Sequence, residues 1–275
     1  MKRPSGPSAP AKSVLFADND VLLLEAVGDF LRASGFQVFL AQDGLEGLEI
    51  CRKEKPNFVI LDIVMPRIDG ARLCWFIRQD PKLRDTPIIV FSSLSGQDFR
   101  NFPQLSGDAY VAKGPLPIAC EHIIQAIRKL DGEGRQASAD ESGIIGYNHV
   151  RPRKMIQEML DERRHYANVL RSLGAGVLEL DPTGRIAMAN PGACKVLKAK
   201  EVQLVGESLT SFISLQDRKA LQDLFAEFAK ATEPQRCRIN VQLGDGSAPL
   251  QVCAIMEGKA CESILVIIES ADTAF

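Results

Sequence analysis

VILDIVMPRIDG, residues 59–70, is the stretch on which the fold turns. With Phe58 it opens as an unbroken apolar run, stops on the carboxylate Asp62, and passes into Met65-Pro66 and Asp69-Gly70, the kinds of residue that turn a chain. A continuous apolar run of this length suits a strand buried on both faces, as in a parallel sheet. The same grammar extends outward. SVLFAD (13–18), FQVFLA (36–41), TPIIVFS (86–92) and DAYVAK (108–113) read as further strands. Between them lie amphipathic stretches. Asp20 can cap a following helix with Val21, Leu24, Val27 and Leu31 at helical spacing, and Gly44–Glu54 and Ala71–Arg78 follow. Pro117–Leu130 presents Ile118, Ile123, Ile124 and Ile127 on one face. This alternation predicts an α/β fold: a doubly wound, five-stranded parallel sheet with helices on both sides.

The chain has 275 residues, enough for two domains of ordinary size. Residues 1–12 carry three prolines and three basic residues and read as a disordered tail. The first domain spans 13–131. A linker follows at 132–152, within which DGEGRQASADESGIIG (131–146) is rich in Gly, Ser and acids. Residues 153–173 read as one helix whose seam is Ile156, Met159, Arg163, Tyr166, Leu170 and Leu173. That seam fits a dimer-forming coil or a surface helix resting on its own domain. From 174 to 271 the pattern becomes antiparallel. VLELD (177–181), a Pro-Thr-Gly turn and RIAMAN (185–190) form a hairpin; short helices and an amphipathic one from Asp217 follow; RCRINVQL, APLQVCAIM and SILVIIES are three more strands. The second domain is thus α+β with a five-stranded antiparallel sheet.

Composition excludes several classes. Thirty-three Lys+Arg against 35 Asp+Glu leave a net charge of −2, which argues against a protein that coats nucleic acid. No apolar run is long enough to cross a bilayer, and the basic N-terminus has no signal-peptide core behind it. Seven cysteines without a CxxC pair read as reduced thiols, so the expected setting is cytoplasmic, without membrane insertion.

Ligands of an open parallel sheet sit beyond the carboxyl ends of its strands. Asp18 with Asn19 and Asp20, then Asp62, Ser92 and Lys113 occupy those ends. Carboxylates at one rim suit a hard ion such as Mg²⁺, and a hydroxyl with an ammonium suits a phosphoryl group.

Over residues 13–131 the series VLFADND, VILDIVMPRIDG, IIVFSS and DAYVAK resembles the flavodoxin-like receiver domain of two-component response regulators. The resemblance implies that Asp62 is the phosphoacceptor. It implies Mg²⁺ held by Asp18, Asn19, Asp62 and the Val64 backbone carbonyl. Ser92 would follow the phosphoryl group, Tyr110 would be the aromatic switch, turning inward on phosphorylation, and Lys113 would pair with the phosphate. A histidine kinase or phosphotransfer protein would supply the phosphoryl group.

Three departures stand out. Asn19 replaces the family's second acid and predicts weaker Mg²⁺ binding, with Asp20 able to substitute unless it caps the first helix. Gly114 replaces the family's proline after the lysine and predicts a less firmly held Lys113. SLSGQDFRNFPQLSG (93–107), with Pro103 and two glycines, predicts a short or irregular fourth helix.

Residues 165–271 resemble a PAS domain through AMAN, NPGACKVL, VGESLTSFI, LQDRKALQDLF and the terminal strands. Such domains bind small ligands or pair with other proteins; the residues here name no ligand. The last histidine, His165, lies in the leading helix, and Cys194 lacks a flavin-binding signature, so no covalent chromophore is expected. His165 also lacks the sequence context of a phosphohistidine.

The expected protein is a phosphorylation-regulated response regulator, acting as a homodimer through protein contacts, with no enzymatic or DNA-binding output. Two alternatives are the sensory part of a larger hybrid kinase or cyclase, and a phosphate-independent scaffold.

Overall fold

The computed structural model describes residues 11–93, 105–133, 144–146, 165–243 and 246–269. The chain divides into two compact units, Met1–Arg153 and Lys154–Phe275.

In the first unit, strands β1 (Ser13–Ala17), β2 (Gln37–Ala41), β3 (Phe58–Leu61), β4 (Ile88–Ser92) and β5 (Ala109–Ala112) are parallel. Helices α1 (Val21–Ala33), α2 (Gly44–Glu54), α3 (Gly70–Gln79) and α4 (Leu116–Glu133) connect or follow them. Side-chain caps start three of the helices. Asp20 accepts from Leu22 and Leu23 N–H, Asp43 from Leu45 and Glu46 N–H, and Asp69 from Arg72 N–H. Every residue of β3 and β4 is buried, which accounts for their continuous apolar runs. One side of the sheet closes over Phe16, Ile60, Phe91 and Val111, under α1 and α4.

The sheet order is β2-β1-β3-β4-β5-β6, where β6 (Ile144–Ile145) runs parallel to β5 and adds a short sixth strand. The five expected strands are present, and β6 comes from the segment read as linker. Two residues between polar neighbours are too few to show a period. Two apolar-face assignments also need correction. Val21 is 46% and Ile118 37% exposed, because each sits in the first turn of its helix, beyond the end of the core. The inward face of α4 is Ala119, Cys120, Ile123, Ala126, Ile127 and Leu130. The expected irregular helix within 93–107 lies almost wholly outside the described residues.

In the second unit, β7 (Gly176–Leu180), β8 (Ile186–Ala189), β9 (Arg236–Leu243), β10 (Gly246–Glu257) and β11 (Ala260–Ile268) form an antiparallel sheet of order β8-β7-β11-β10-β9. Helices α5 (Pro191–Val196), α6 (Glu201–Leu204) and α7 (Leu215–Phe228) lie in the chain between β8 and β9. Residues 165–172 are helical, while 153–164 of the expected seam helix lie outside the described residues.

Asn190 joins the leading helix to this sheet. Its Oδ1 accepts from Val177 N–H and Ala193 N–H at 2.8 Å each, and its Nδ2 donates to Leu170 O at 3.0 Å and Ala175 O at 2.9 Å. It is 1% exposed, so all of its hydrogen-bonding capacity goes to backbone.

Candidate functional site

The strand order of the first sheet reverses between β1 and β3, which lie side by side although β2 separates them in sequence. This switch point opens a crevice at the carboxyl ends of the strands. Asp18 N–H bonds Ala41 O at 3.0 Å and Asp62 N–H bonds Ala17 O at 2.9 Å, so each carboxylate emerges one residue past its strand with the backbone still pinned. Asp18 is fully buried and Asp62 is 5% exposed.

Lys113 follows β5, its N–H bonded to Ser92 O at 2.9 Å. Its Nζ lies 2.7 Å from Asp18 Oδ2 and 2.9 Å from Asp62 Oδ2, and it sits 5.6 Å from the centre of the Phe91 ring. Two buried carboxyls thus share one ammonium. Burial pushes the Asp62 carboxyl up and Asp18 adds to the rise, against the pull of Lys113. Burial works against the charge on Lys113, but Asp62 and Asp18 outweigh it and its pKa rises. The ammonium therefore stays charged and is held by two partners. The described residues contain no cis peptide, and these ion pairs fix Lys113 without the family's proline.

The remaining expected residues divide. Ser92 ends β4 at 2% exposed, opposite Ala112 in the ladder. Val64 is half-buried in the loop after Asp62. That loop is anchored by buried Met65 and Ile68, and it returns so closely that a Cβ on Gly70 would lie 2.0 Å from Asp62 O. Asn19 is exposed. Asp20 is spent on capping α1, with Leu22 and Leu23 N–H at 3.0 and 3.1 Å from its Oδ1, so it does not replace the missing acid. Tyr110 is 3% exposed, and a backbone hydrogen bond from Gly107 reaches its phenol. Its ring is buried beside β4.

The residues fit a hard divalent cation. Asp18 Oδ2 is buried with no aligned hydrogen-bond donor and is met by the Lys113 ammonium as an ion pair. Asp18 Oδ1 accepts from Asp20 N–H at 3.0 Å and Asp62 Oδ1 from Ile63 N–H at 2.8 Å, which leaves both Oδ2 atoms to the Lys113 ammonium and available to a metal that would share them. Among the described residues no group of three or more His, Cys, Asp or Glu is placed to hold a metal. One or two carboxylates with waters is the ordinary Mg²⁺ arrangement.

Three supports were not read from the sequence. Arg67, at φ 57°, reaches back to Asp43 Oδ2 at 3.1 Å and braces the loop against the start of α2. Phe91 lies under the Lys113 ammonium. Arg78 Nη2 pairs with Asp108 Oδ2 at 2.6 Å, where Asp108 also accepts from Ile88 N–H at 2.7 Å. These partners lie 20 to 30 residues apart, beyond any local spacing rule; the lone signal was the acid that opens DAYVAK.

In the second unit His165 is exposed on the leading helix, and Cys194 is half-buried in α5, its thiol pushed up by burial and by Glu201. A thiol held protonated is a poor nucleophile and metal ligand at neutral pH.

Comparison with known proteins matches residues 14–128 to the response regulator receiver domain and 164–268 to the PAS fold. The polar-differentiation response regulator DivK of Brucella anthropi is 27% identical over 123 residues, covering 44% of this chain and 98% of DivK. A probable transcriptional regulator, ycf27 of Guillardia theta, is 34% identical over 141 residues, covering 50% of this chain and 54% of that protein. Among solved structures, a putative response regulator from Chloroflexus aurantiacus is 25% identical at TM-score 0.38, covering 43% of this chain and 98% of its own. The receiver domain of a sensor histidine kinase from Pseudomonas aeruginosa, described with a magnesium ion coordinated in its active site cleft, is 21% identical at TM-score 0.41, covering 44% of this chain and 99% of its own.

Proposed function

We propose that this chain, which carries a response regulator receiver domain followed by a PAS domain, accepts a phosphoryl group on Asp62 and passes the signal on by protein contact. The observation that carries this reading is the meeting of Asp18, Asp62 and Lys113 within 2.9 Å at the switch point of the sheet. A carboxylate attacks an anionic phosphoryl donor only when charge is neutralised. Lys113, held charged by its two partners, supplies a positive charge from the chain itself. The Ile63 N–H on Asp62 Oδ1 orients the carboxylate and leaves Oδ2, the oxygen paired with Lys113, as the nucleophile. Asp62 Oδ2 forms the bond to phosphorus as the donor's leaving group departs with the electron pair, giving an acyl phosphate. Ser92, at the end of β4, is the hydroxyl placed on the same rim. Mg²⁺, held by Asp18, Asp62 and the Val64 carbonyl, would neutralise charge on the transferring group.

Asn19 removes one charged ligand, so the Mg²⁺ requirement of this site exceeds that of a receiver with two acids. The donor in the cell is a histidine kinase or phosphotransfer protein, and the PAS domain relays the signal without enzymatic output. The protein acts in the cytoplasm as a homodimer joined through the 153–173 helix. Phosphotransfer profiling tests the reading. Among the host's kinases and phosphotransfer proteins, one should label wild-type protein fastest and none should label Asp62→Asn. Labelling that persists in Asp62→Asn would move the acceptor elsewhere, and no labelling from any donor would favour a phosphate-independent scaffold.

A further inference from the structure

The edge of the receiver sheet beside the site is closed by the chain itself. β6 lies parallel on β5, with Ile144 opposite Tyr110 and Ile145 opposite Val111. Ile145 is half-buried and packs against the core cluster that holds Val111, Phe91 and Ile127. Gly146 follows at φ +80°, where a Cβ would lie 2.6 Å from His122 Nδ1 on α4 and 3.8 Å from Ala112 Cβ. The strand is parallel, so the segment runs towards the carboxyl rim and reaches Ala112, the neighbour of Lys113. In the sequence it lies seven residues before the end of the first unit at Arg153.

We propose that Ile144–Gly146 is a strap on the β5 edge, and that its seat depends on the ion pairs of Lys113. The argument is one of unequal restraint. The Lys113 ammonium ties the end of β5 to Asp18 after β1 and Asp62 after β3, across the intervening β4. On its other side β5 pairs, among the described residues, with two residues of β6, against five paired residues between β1 and β2 at the opposite edge. A change in where Lys113 is held moves Ala112 and Val111, and the shortest ladder in the sheet yields first. Weakly held elements are the ones that open locally. In the phosphoacceptor reading, an acyl phosphate on Asp62 draws Lys113 towards its new oxygens and unseats the strap, passing the change directly into the segment that leads to the PAS domain. That last step rests on the phosphoacceptor reading, whereas the dependence on Lys113 does not.

Hydrogen–deuterium exchange on the full chain tests the strap. The 144–146 backbone should exchange at least about tenfold faster in Ile145→Asp, which loses the apolar anchor, and in Gly146→Val, which cannot adopt the turn against His122. Lys113→Ala should speed the same segment by a similar factor, while peptides from β1, β3 and β4 keep their protection and show that the fold is intact. Phosphodonor with Mg²⁺ should do likewise in wild-type protein, with intact mass recorded on the same sample. Wild-type exchange as fast as in Ile145→Asp would overturn the proposal, because the strap would not be seated. So would an unchanged strap in Lys113→Ala, or in protein whose mass shows the added phosphoryl group. If no phosphoryl group is gained, the phosphoacceptor reading fails, and the Lys113→Ala comparison alone decides for or against the strap.

Discussion

Asp62 carries its charge at a cost, since burial raises its pKa and Lys113 only partly offsets this. A carboxyl whose folded pKa lies above its unfolded one contributes stability at low pH that is lost as the pH rises through the folded value. Asp62→Asn should therefore raise the unfolding midpoint of the first unit once the pH is high enough to ionise the buried carboxyl, with the gain shrinking as the pH falls towards the unfolded carboxylate range. A thermal melt of both proteins at neutral and acidic pH checks this. Asn19 is the residue to restore: Asn19→Asp should lower the Mg²⁺ concentration at half-maximal labelling severalfold, since it adds a charged oxygen beside Asp18. At this scale much of the site was legible. Asp18, Asp62, Ser92 and Lys113 each end an apolar run, and a parallel sheet gathers such ends by construction. The duty of Asp20 was open because an acid after a strand can face the crevice or cap the next helix; its hydrogen bonds to Leu22 and Leu23 decide for the cap. The buried ring of Tyr110 was not legible, because buried and outward orientations are compatible with the same strand.

Arg78 and Asp108 show how elements are locked behind the site. Arg78, at the end of α3, pairs with Asp108 and also donates to Arg84 O and Thr86 O, so one guanidinium fastens α3 to the starts of β4 and β5. Its side chain is 16% exposed and that of Asp108 is 8% exposed. Removing one partner of such a pair leaves a buried charge behind, so Arg78→Ala should cost the first unit about 3 kcal/mol, measured by denaturant unfolding. Asn190→Ala should cost the second unit a similar amount, about 3 kcal/mol, by stranding Val177 N–H, Ala193 N–H, Leu170 O and Ala175 O. The helices and long strands were legible because burial writes a period into them. The strap β6 was not: two isoleucines in an acidic, glycine-rich stretch look like linker until a free sheet edge is known to lie beside them. Val21 and Ile118 mislead in the opposite way, since helical spacing continues past the point where the core ends.

At the scale of the whole molecule, the two units carry separate sheets, and the 153–173 seam read from the sequence starts at the boundary between them. Within its described part, Tyr166 is 60% and Leu173 44% exposed, apolar surface that a partner helix would cover. Five large apolar side chains at about 1.5–3 kcal/mol each when fully buried can help to hold a dimer. Ile156→Asp combined with Leu170→Asp should shift the species towards monomer in light scattering; an unchanged mass would mean that the helix rests on its own domain. The two-domain division was legible from a change of grammar, continuous runs giving way to hairpins. The role of Asp62 is tested most directly by the intact mass of wild-type protein incubated with a small-molecule phosphodonor across a Mg²⁺ titration. One phosphoryl group per chain is expected, dependent on Mg²⁺, absent in Asp62→Asn and diminished in Lys113→Ala. Wild-type protein that stays unmodified at saturating donor and Mg²⁺ would contradict that role.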